Sequence, residues 1–326
     1  MAGSERRSGD LRANADVRPA GLGALAARAG RRAHAQATTR YAGTVASVGE
    51  WMDRNDIGLQ LHDYASAELA RAIACLGWRG SRLHAGVHQA RKSLRRARAT
   101  LALGATLLGP GARVIDRELR QVNCGLSKLR DAHALAGVLD YLLGRHAVDE
   151  QALLLLHRAR RAATRDRAAR ARKVLAKDPQ LRARRALLAT LLAALHGLPW
   201  HLLDADAADA ALLHSRVRAD AASERAAGSG DADDWHRWRR RARRLSQQQR
   251  ALDDRAAKAD KHDKRLAVLL GHAQDYALLC EHCGRGSPFT PSDRASLRAL
   301  AEQDLGRLRT RIAQFTRTPI APASEA

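Results

Sequence analysis

Proline is absent from three long tracts of the sequence, between Pro19 and Pro110, between Pro110 and Pro179, and between Pro199 and Pro288. Because proline disrupts the interior of a helix, long helices can form in such tracts. The tracts are rich in alanine, leucine and arginine, which have high helix propensities, and poor in the β-branched residues that favour strands. Apolar side chains also recur with the period of a buried helical face. The sequence therefore predicts an all-α fold.

Glycine, proline and aspartate residues divide this pattern into a series of predicted helices. The predicted ranges are 59–75, 87–108, 113–145, 149–176, 181–198, 206–226, 235–252, 256–282 and 292–315. Residues 1–50 lack apolar periodicity, so we predict a basic, disordered N-terminal tail in which only residues 22–40 suggest a short helix. Residues 318–326 are predicted to form a second disordered tail.

The formal net charge of the 326-residue chain is +23. An imbalance of this size produces self-repulsion and favours binding to polyanions, among which nucleic acid, anionic membranes and inorganic polyphosphate are the obvious candidates. The sequence has neither a secretory signal pattern nor an apolar run long enough to span a bilayer. We therefore predict a cytoplasmic protein without membrane insertion. The cysteines are too few and too unevenly spaced to imply a disulfide framework.

Positive charge is concentrated in two stretches, residues 87–108 and 235–252. The basic face of the first stretch, whose members lie three or four residues apart, consists of His88, Arg91, Lys92, Arg95, Arg96 and Arg98. Neither stretch contains an aspartate or a glutamate. Each pair of like charges at this spacing destabilises a helix by roughly 0.2–0.5 kcal/mol. Two uncompensated stretches therefore predict an anion-binding site rather than a solvated surface.

The second stretch repeats the first at an offset of 148 residues. Its matching residues are His236, Arg239, Arg240, Arg243 and Arg244. Further along each half, Asp131 and Asp275 recur at an offset of 144 residues. The repeat predicts two pseudo-symmetric four-helix bundles, residues 57–198 and 199–317, which form one unit around a basic central groove.

Four segments resemble the signatures of the CHAD family, the conserved histidine α-helical domain: VHQARKSLRRARATLALGATLLG and SKLRDAHALAGVL in the first half, and WHRWRRRARRL and LLGHAQDYALL in the second. The resemblance covers residues 57–317 and implies a basic surface that binds inorganic polyphosphate. Together with the basic faces, it gives the candidate polyphosphate-binding residues His88, Arg91, Lys92, Arg95, Arg96, Arg98, Arg130, His236, Arg239, Arg240, Arg243 and Arg244.

The resemblance also implies that Asp131 and Asp275 orient arginines rather than bind an anion. The second half departs from the first where Gln274 replaces Arg130 and Ser246 replaces Arg98, so we expect a weaker contribution from its distal end. Some CHAD proteins carry a triphosphate-hydrolase domain with an alternating Glu-x-Glu-x-Lys strand, and no such pattern occurs in this sequence. We therefore predict a stand-alone binding module. Phosphate storage, targeting to polyphosphate granules and recruitment of a partner are all compatible with such a module.

The principal alternative is a nucleic-acid-binding basic helical protein, because phosphate contacts would look the same. Single-strand binders usually add aromatic stacking platforms, and only Trp235 and Trp238 lie near a basic stretch. The arginine faces carry no carboxylates for metal-assisted or acid–base chemistry, so we predict that the protein is not an enzyme and needs no cofactor.

Two short patterns suggest metal ligands. His84 and His88 lie four residues apart, and Cys280 and Cys283 have half of a zinc-site spacing. No second cysteine or histidine pair completes the cysteine pattern, and the arginines beside His88 would repel a cation. We therefore predict no metal site.

Overall fold

The computed structural model describes residues 57–146, 149–252 and 260–317. Within these ranges the chain forms ten α-helices joined by short turns and 3₁₀ segments, with no strand, which confirms the all-α prediction. The helices are α1 (Ile57–Leu76), α2 (Leu83–Leu101), α3 (Gly109–Gly125), α4 (Ser127–Arg145), α5 (Glu150–Lys177), α6 (Arg182–His196), α7 (Ala205–Ser229), α8 (Ala232–Ala251), α9 (Asp260–His282) and α10 (Pro291–Arg317). The predictions for residues 1–50 and 318–326 lie outside the described residues.

Aspartates begin several of these helices. The carboxylates of Asp149 and Asp204 accept hydrogen bonds from the backbone N–H groups of Ala152 and Ala207, at 3.0 and 2.8 Å. Such N-caps satisfy donors that the first helical turn leaves without partners. At the other end of α7, Gly230 adopts a left-handed conformation with φ of 64°. Glycine takes this conformation without steric cost, which explains why α7 ends there.

The long helix predicted over residues 113–145 is two helices, α3 and α4. The break lies at Leu126, whose side chain is fully buried and whose backbone φ and ψ are −91° and −3°. The Ser127 hydroxyl donates to the carbonyl of Cys124 at 2.7 Å, which replaces part of the interrupted helical bonding. The break leaves the carbonyl groups at the end of α3 available to side chains of other helices.

Neighbouring helices pack in four sequential pairs: α1 with α2, α4 with α5, α7 with α8, and α9 with α10. The pairs meet where α2 contacts α8 and where α4 contacts α9. Gly86 sets the approach of α2 to the end of α1, because a Cβ atom there would lie 2.3 Å from the carbonyl oxygen of Cys75. Helix α2 is thereby held with one face on α1 and another toward α8.

In the part of the chain that the structure describes, three clusters of buried apolar side chains hold the helices together. One lies mainly among α1, α2, α3 and α6, the second among α4, α5, α9 and α10, and the third among α7 to α10. The second cluster thus contains residues from both predicted repeats. The division into two pseudo-symmetric bundles at residues 198 and 199 stays a prediction. None of the described helices is sufficiently long and apolar to cross a membrane.

Candidate anion-binding site

Five arginines from three helices converge where α2, α4 and α8 meet. Arg91 and Arg95 lie on α2, Arg130 on α4, and Arg239 and Arg243 on α8. We refer to these five residues as the central arginine cluster. Burial, and then the charges of the other four cluster arginines, lower the pKa of Arg95 well below its usual range. The two basic faces predicted from the sequence therefore lie against each other.

Several donors of the central arginine cluster are buried without an acceptor. The Nε atoms of Arg91, Arg95 and Arg239 have no hydrogen-bond partner among the described residues. Arg239 is only 7% exposed, and burial together with the neighbouring charges lowers its pKa to about 8. The same causes lower the pKa of Arg243 to about 10. An unpaired buried donor costs about 1–3 kcal/mol, and more when it is charged. A bound anion that accepts hydrogen bonds from these groups would remove that cost.

Arg91 is held by the backbone of α3. Its guanidinium donates to the carbonyl oxygen of Asn123, in the last turn of that helix. A cation is favoured at a helix C-terminus because the peptide dipoles leave partial negative charge there. The break between α3 and α4 therefore also positions Arg91.

Two aspartates hold the fifth arginine of the cluster. The Arg130 guanidinium lies 3.3 Å from Asp131 and 3.1 Å from Asp275, so it bridges α4 and α9. Asp275 also favours the charged forms of Arg239 and Arg243, since its charge raises the pKa of each. The two predicted orienting residues thus contact the same arginine, and their role in orienting it stays a prediction.

Two other arginines of α2 are paired with acids from neighbouring helices. The Arg96 guanidinium lies 2.9 Å from Glu68 of α1, and both side chains are buried. Arg98 makes two hydrogen bonds to Asp116 of α3, from Nε at 2.8 Å and from a terminal nitrogen at 3.0 Å. The basic stretch lacks acids in sequence, but the fold supplies them at these two positions.

The two predicted histidines have different surroundings. The ring of His88 meets that of His133 edge to face, with centroids 6.4 Å apart. Desolvation, and then the charges of Arg95 and Arg130, lower the pKa of His88 to about 4. His236 instead forms a 2.6 Å hydrogen bond with Gln274. The replacement of Arg130 by Gln274 in the second half therefore gives its histidine a neutral partner.

The remaining candidates lie at the exposed edges of the two basic faces. Lys92 and Arg240 are exposed and lie at equivalent positions of the repeat. Arg250 of α8 contributes to lowering the pKa of Lys92, after burial and Arg96. Arg244 also reaches the surface; burial of part of its side chain lowers its pKa, and the charge of nearby Asp116 opposes that shift. These side chains extend the positive surface beyond the central arginine cluster.

A family model for the CHAD domain matches residues 63–284, which is more than half of the chain. The chain belongs to the CHAD family. The resemblance drawn from the four sequence segments is thereby confirmed, and α2, α4, α8 and α9 all lie within the matched CHAD domain.

Comparison of structures gives a likeness in fold. The chain is similar to PptA from Streptomyces chartreusis, with 19% sequence identity and a TM-score of 0.56. The similarity covers 80% of this chain and 99% of PptA. No curated protein sequence matches the chain. The CHAD assignment therefore rests on the family match, and the structural likeness supports the arrangement of the helices.

The sequence analysis of this CHAD chain did not identify Glu68 or Asp116. Glu68 is 2% exposed and shares the buried face of α1 with Leu61, Ala65 and Leu69. A charged residue on an apolar helical stripe was a detectable signal, because it must find a buried partner. Asp116 has no such signal, since it lies among polar residues of α3 and only the fold brings it to Arg98.

Neither pair of residues considered as metal ligands belongs to a larger ligand cluster in the described part of the CHAD fold. Within residues 57–146, 149–252 and 260–317, no group of three or more histidine, cysteine, aspartate or glutamate side chains could hold a metal ion. Cys280 and Cys283 are free thiols, and burial raises the pKa of both. Raised thiol pKa values disfavour the thiolate that binds metals or attacks disulfides. The absence of a metal site stays a prediction.

Proposed function

We propose that this CHAD protein binds inorganic polyphosphate, without catalysis, along the surface that the central arginine cluster forms between α2 and α8. The observation that carries the proposal is the set of buried Nε–H groups of Arg91, Arg95 and Arg239, which lack acceptors among the described residues. Arginine donates two parallel hydrogen bonds to phosphate oxygens, so phosphates would supply the acceptors that these groups lack.

The distribution of the cations favours a linear ligand. The cluster is continued by exposed side chains on both helices, Lys92 on α2 and Arg240 and Arg244 on α8. A chain of phosphates can contact several such cations in succession, whereas a compact anion would reach only a few. His88 and His236 would add hydrogen bonds beside the arginines.

The carboxylates near the cluster favour binding over hydrolysis. Asp131 and Asp275 both face Arg130 at ion-pair distance. A carboxylate held in an ion pair is poorly placed to activate water, and polyphosphate hydrolysis would normally use a metal site to stabilise the transferred group. We expect no release of orthophosphate when the protein is incubated with long-chain polyphosphate and magnesium.

The proposal is tested by replacing Arg91, Arg95, Arg239 and Arg243 together with glutamine. Titration calorimetry with long-chain polyphosphate should show at least about a 100-fold loss of affinity, since each lost charged hydrogen bond contributes about 1.5–3 kcal/mol. The wild type should also lose affinity steeply as salt rises, because several phosphates release counterions together.

A matched control removes the same number of charges elsewhere. Arg161, Arg165, Arg172 and Arg225 are exposed and form no ion pair within the described residues. Their replacement with glutamine should reduce affinity only a few-fold, through the lower net charge. Equal losses in the two variants would show non-specific attraction and contradict the proposed site.

Nucleic acid binding stays the alternative. The two tryptophans near the second basic stretch are committed to packing: Trp238 is 3% exposed, and Trp235 contacts both Trp238 and Arg309. These contacts indicate a packing role rather than an exposed platform on which bases could stack. Competition at equal phosphate concentration and equal salt separates the two ligands, because displacement of polyphosphate by DNA would favour the alternative.

A polyphosphate-binding protein would also concentrate on polyphosphate granules in cells. A fluorescent fusion of the wild type should co-localise with such granules, and the fusion carrying the four glutamines should not. Diffuse fluorescence of both fusions in granule-containing cells would contradict this part of the proposal.

A further inference from the structure

A pocket of about 510 Å³ lies beside the basic surface, between the α2–α3 connection and α7. Its apolar part is formed by small or aliphatic side chains, among them Ala102, Leu103, Ala207 and Ala211. Its volume is within the range of small-molecule sites, which typically combine apolar walls with a few convergent polar groups. The sequence analysis did not assign any of its apolar residues to a function.

The opposite side of the pocket carries positive charge. Arg218 of α7 and Arg241 and Arg244 of α8 line it, and no aspartate or glutamate does. The three arginines line the same pocket, and the pKa of Arg241 is lowered by burial and further by the charges of Arg218 and Arg244. None of the three forms an ion pair or a hydrogen bond within the described residues.

The wall made by the α2–α3 connection is tightly packed. A Cβ atom at Gly104 would lie 2.7 Å from the Leu108 side chain and 3.0 Å from that of Leu203. Leu103 and Leu108 are each 1% exposed, and the Leu108 N–H donates to the carbonyl of Gly104 at 2.8 Å. The apolar wall is therefore formed before a ligand binds, which reduces the entropic cost of binding.

We propose that this pocket, which contains none of the central arginine cluster but shares Arg244 with the edge of the proposed polyphosphate-binding surface, is a second binding site for a small organic phosphate. The phosphate groups would contact Arg218, Arg241 and Arg244, and an apolar or planar body would lie against the alanines and Leu103. His214 and Ser215, which also line the pocket, provide hydrogen-bonding groups between the two parts. Inorganic polyphosphate has no apolar part, so the apolar wall distinguishes this ligand class from the ligand of the central cluster.

The test uses the full chain carrying glutamine at Arg91, Arg95, Arg239 and Arg243, so that the central cluster contributes little. Calorimetry without magnesium compares two probes, adenosine triphosphate and inorganic tripolyphosphate. We expect adenosine triphosphate to bind at least about fivefold more tightly, because only it can bury a body in the apolar part of the pocket. Further replacement of Arg218 and Arg241 with glutamine should weaken its binding by at least about tenfold.

A steric variant tests the apolar part without changing charge. Ala210 is exposed and lines the pocket, so Ala210→Trp should fill the space and weaken binding of adenosine triphosphate but not of tripolyphosphate. Ala227→Trp, at an exposed position elsewhere on α7, is the control. Equal affinity for the two probes, or binding that the pocket variants leave unchanged, would overturn the inference.

The outcome is independent of the proposed function. In a chain with an intact central cluster, glutamine at Arg218 and Arg241 should change long-chain polyphosphate affinity by no more than a few-fold. If the chain with four central glutamines loses polyphosphate binding and does not bind adenosine triphosphate, the pocket alone is rejected. If it keeps polyphosphate binding and binds adenosine triphosphate in the pocket, the proposed polyphosphate site alone is rejected.

Discussion

Helix α2 carries two kinds of arginine, which differ in what their side chains face and which the sequence alone does not distinguish. Arg96 and Arg98 each face a carboxylate of a neighbouring helix, Glu68 and Asp116 respectively. Arg91 and Arg95 of the same helix face the arginines of α8. The comparison shows that the fold divides one basic stretch into a part that secures the helix and a part that is available to an anion.

The two parts have opposite energetic consequences. Removing the acid from a buried ion pair leaves a charge without compensation, which is strongly destabilising. Removing a cation from a crowded cluster relieves repulsion but takes away contacts with a ligand. Stability and affinity should therefore respond to different residues of the same helix.

The largest expected effect on stability follows from Glu68→Gln. This change leaves the guanidinium of Arg96 buried without its counter-charge, so we expect a loss of about 3–5 kcal/mol in the free energy of unfolding. Urea denaturation followed by circular dichroism measures it. Arg71→Gln removes the more exposed partner of Glu68 and should cost less than about 1 kcal/mol. Similar losses in both variants would show that the Arg96–Glu68 pair has no special role.

The next effect concerns affinity. Arg95→Gln should weaken long-chain polyphosphate binding about tenfold, equivalent to about 1.4 kcal/mol, without lowering stability. Arg98→Gln should change affinity by less than about twofold, because Asp116 already occupies its donors. Calorimetry and urea denaturation of both variants test the division directly. A larger affinity loss in Arg98→Gln than in Arg95→Gln would reverse our assignment of the two parts.

The sequence predicted the helices well because each depends on local information. Proline, glycine and aspartate fix many of the ends, as at Asp149 and Gly230, and apolar periodicity gives the buried faces. The break at Leu126 was not predicted as a helix end, because this leucine continues the apolar stripe across it; only a bend at Gly125 was considered. Local patterns do not report a change of helix direction when the buried face is preserved.

The arginine faces were also predicted, because their spacing is local and they recur in both halves. Their pairing was predicted only in part: Asp131 and Asp275 were expected to orient arginines, but the arginine that each contacts was not specified, and Glu68 and Asp116 were not identified. Glu68 lies 28 residues before Arg96, and Asp275 lies 145 residues after Arg130. Such pairs depend on how helices pack, which neither charge spacing nor the repeat specifies. The sequence therefore identified the arginines of the basic faces but did not show which of them form ion pairs with acids.

A smaller effect should appear in the pH dependence of binding. Desolvation and neighbouring cations lower the pKa of His88 to about 4, so its ring is neutral near pH 7 in the free protein. A bound phosphate would raise this pKa, and binding would then take up a proton. Polyphosphate affinity should therefore rise about threefold as the pH falls from about 7.5 to about 5.5.

The comparison variant is His88→Gln, which removes the titrating group and should flatten the profile. Long-chain polyphosphate is the appropriate ligand, because its internal phosphates stay ionised over this range. His84 and His133, whose pKa values are also lowered, face the same region. Their titration would account for any pH dependence of affinity that remains in His88→Gln. An unchanged profile in His88→Gln would place the titration on those two residues instead.

The smallest expected effect follows from removing the acidic partner of Arg98, which would make this arginine available to an anion. Asp116 accepts both hydrogen bonds from Arg98 and lies near Arg244. Asp116→Asn removes its charge while keeping one acceptor, so the positive potential at Arg98 and Arg244, beside the central arginine cluster, would increase. We expect polyphosphate affinity to rise about two- to threefold, the scale of a partly exposed ion pair, with a steeper dependence on salt.

Glu118→Gln, which removes an acid from the same helix where it pairs with Arg117, controls for net charge and should have a smaller effect. If both variants raise affinity equally, Asp116 acts only through the overall charge, and the boundary between the two kinds of arginine does not lie at Arg98.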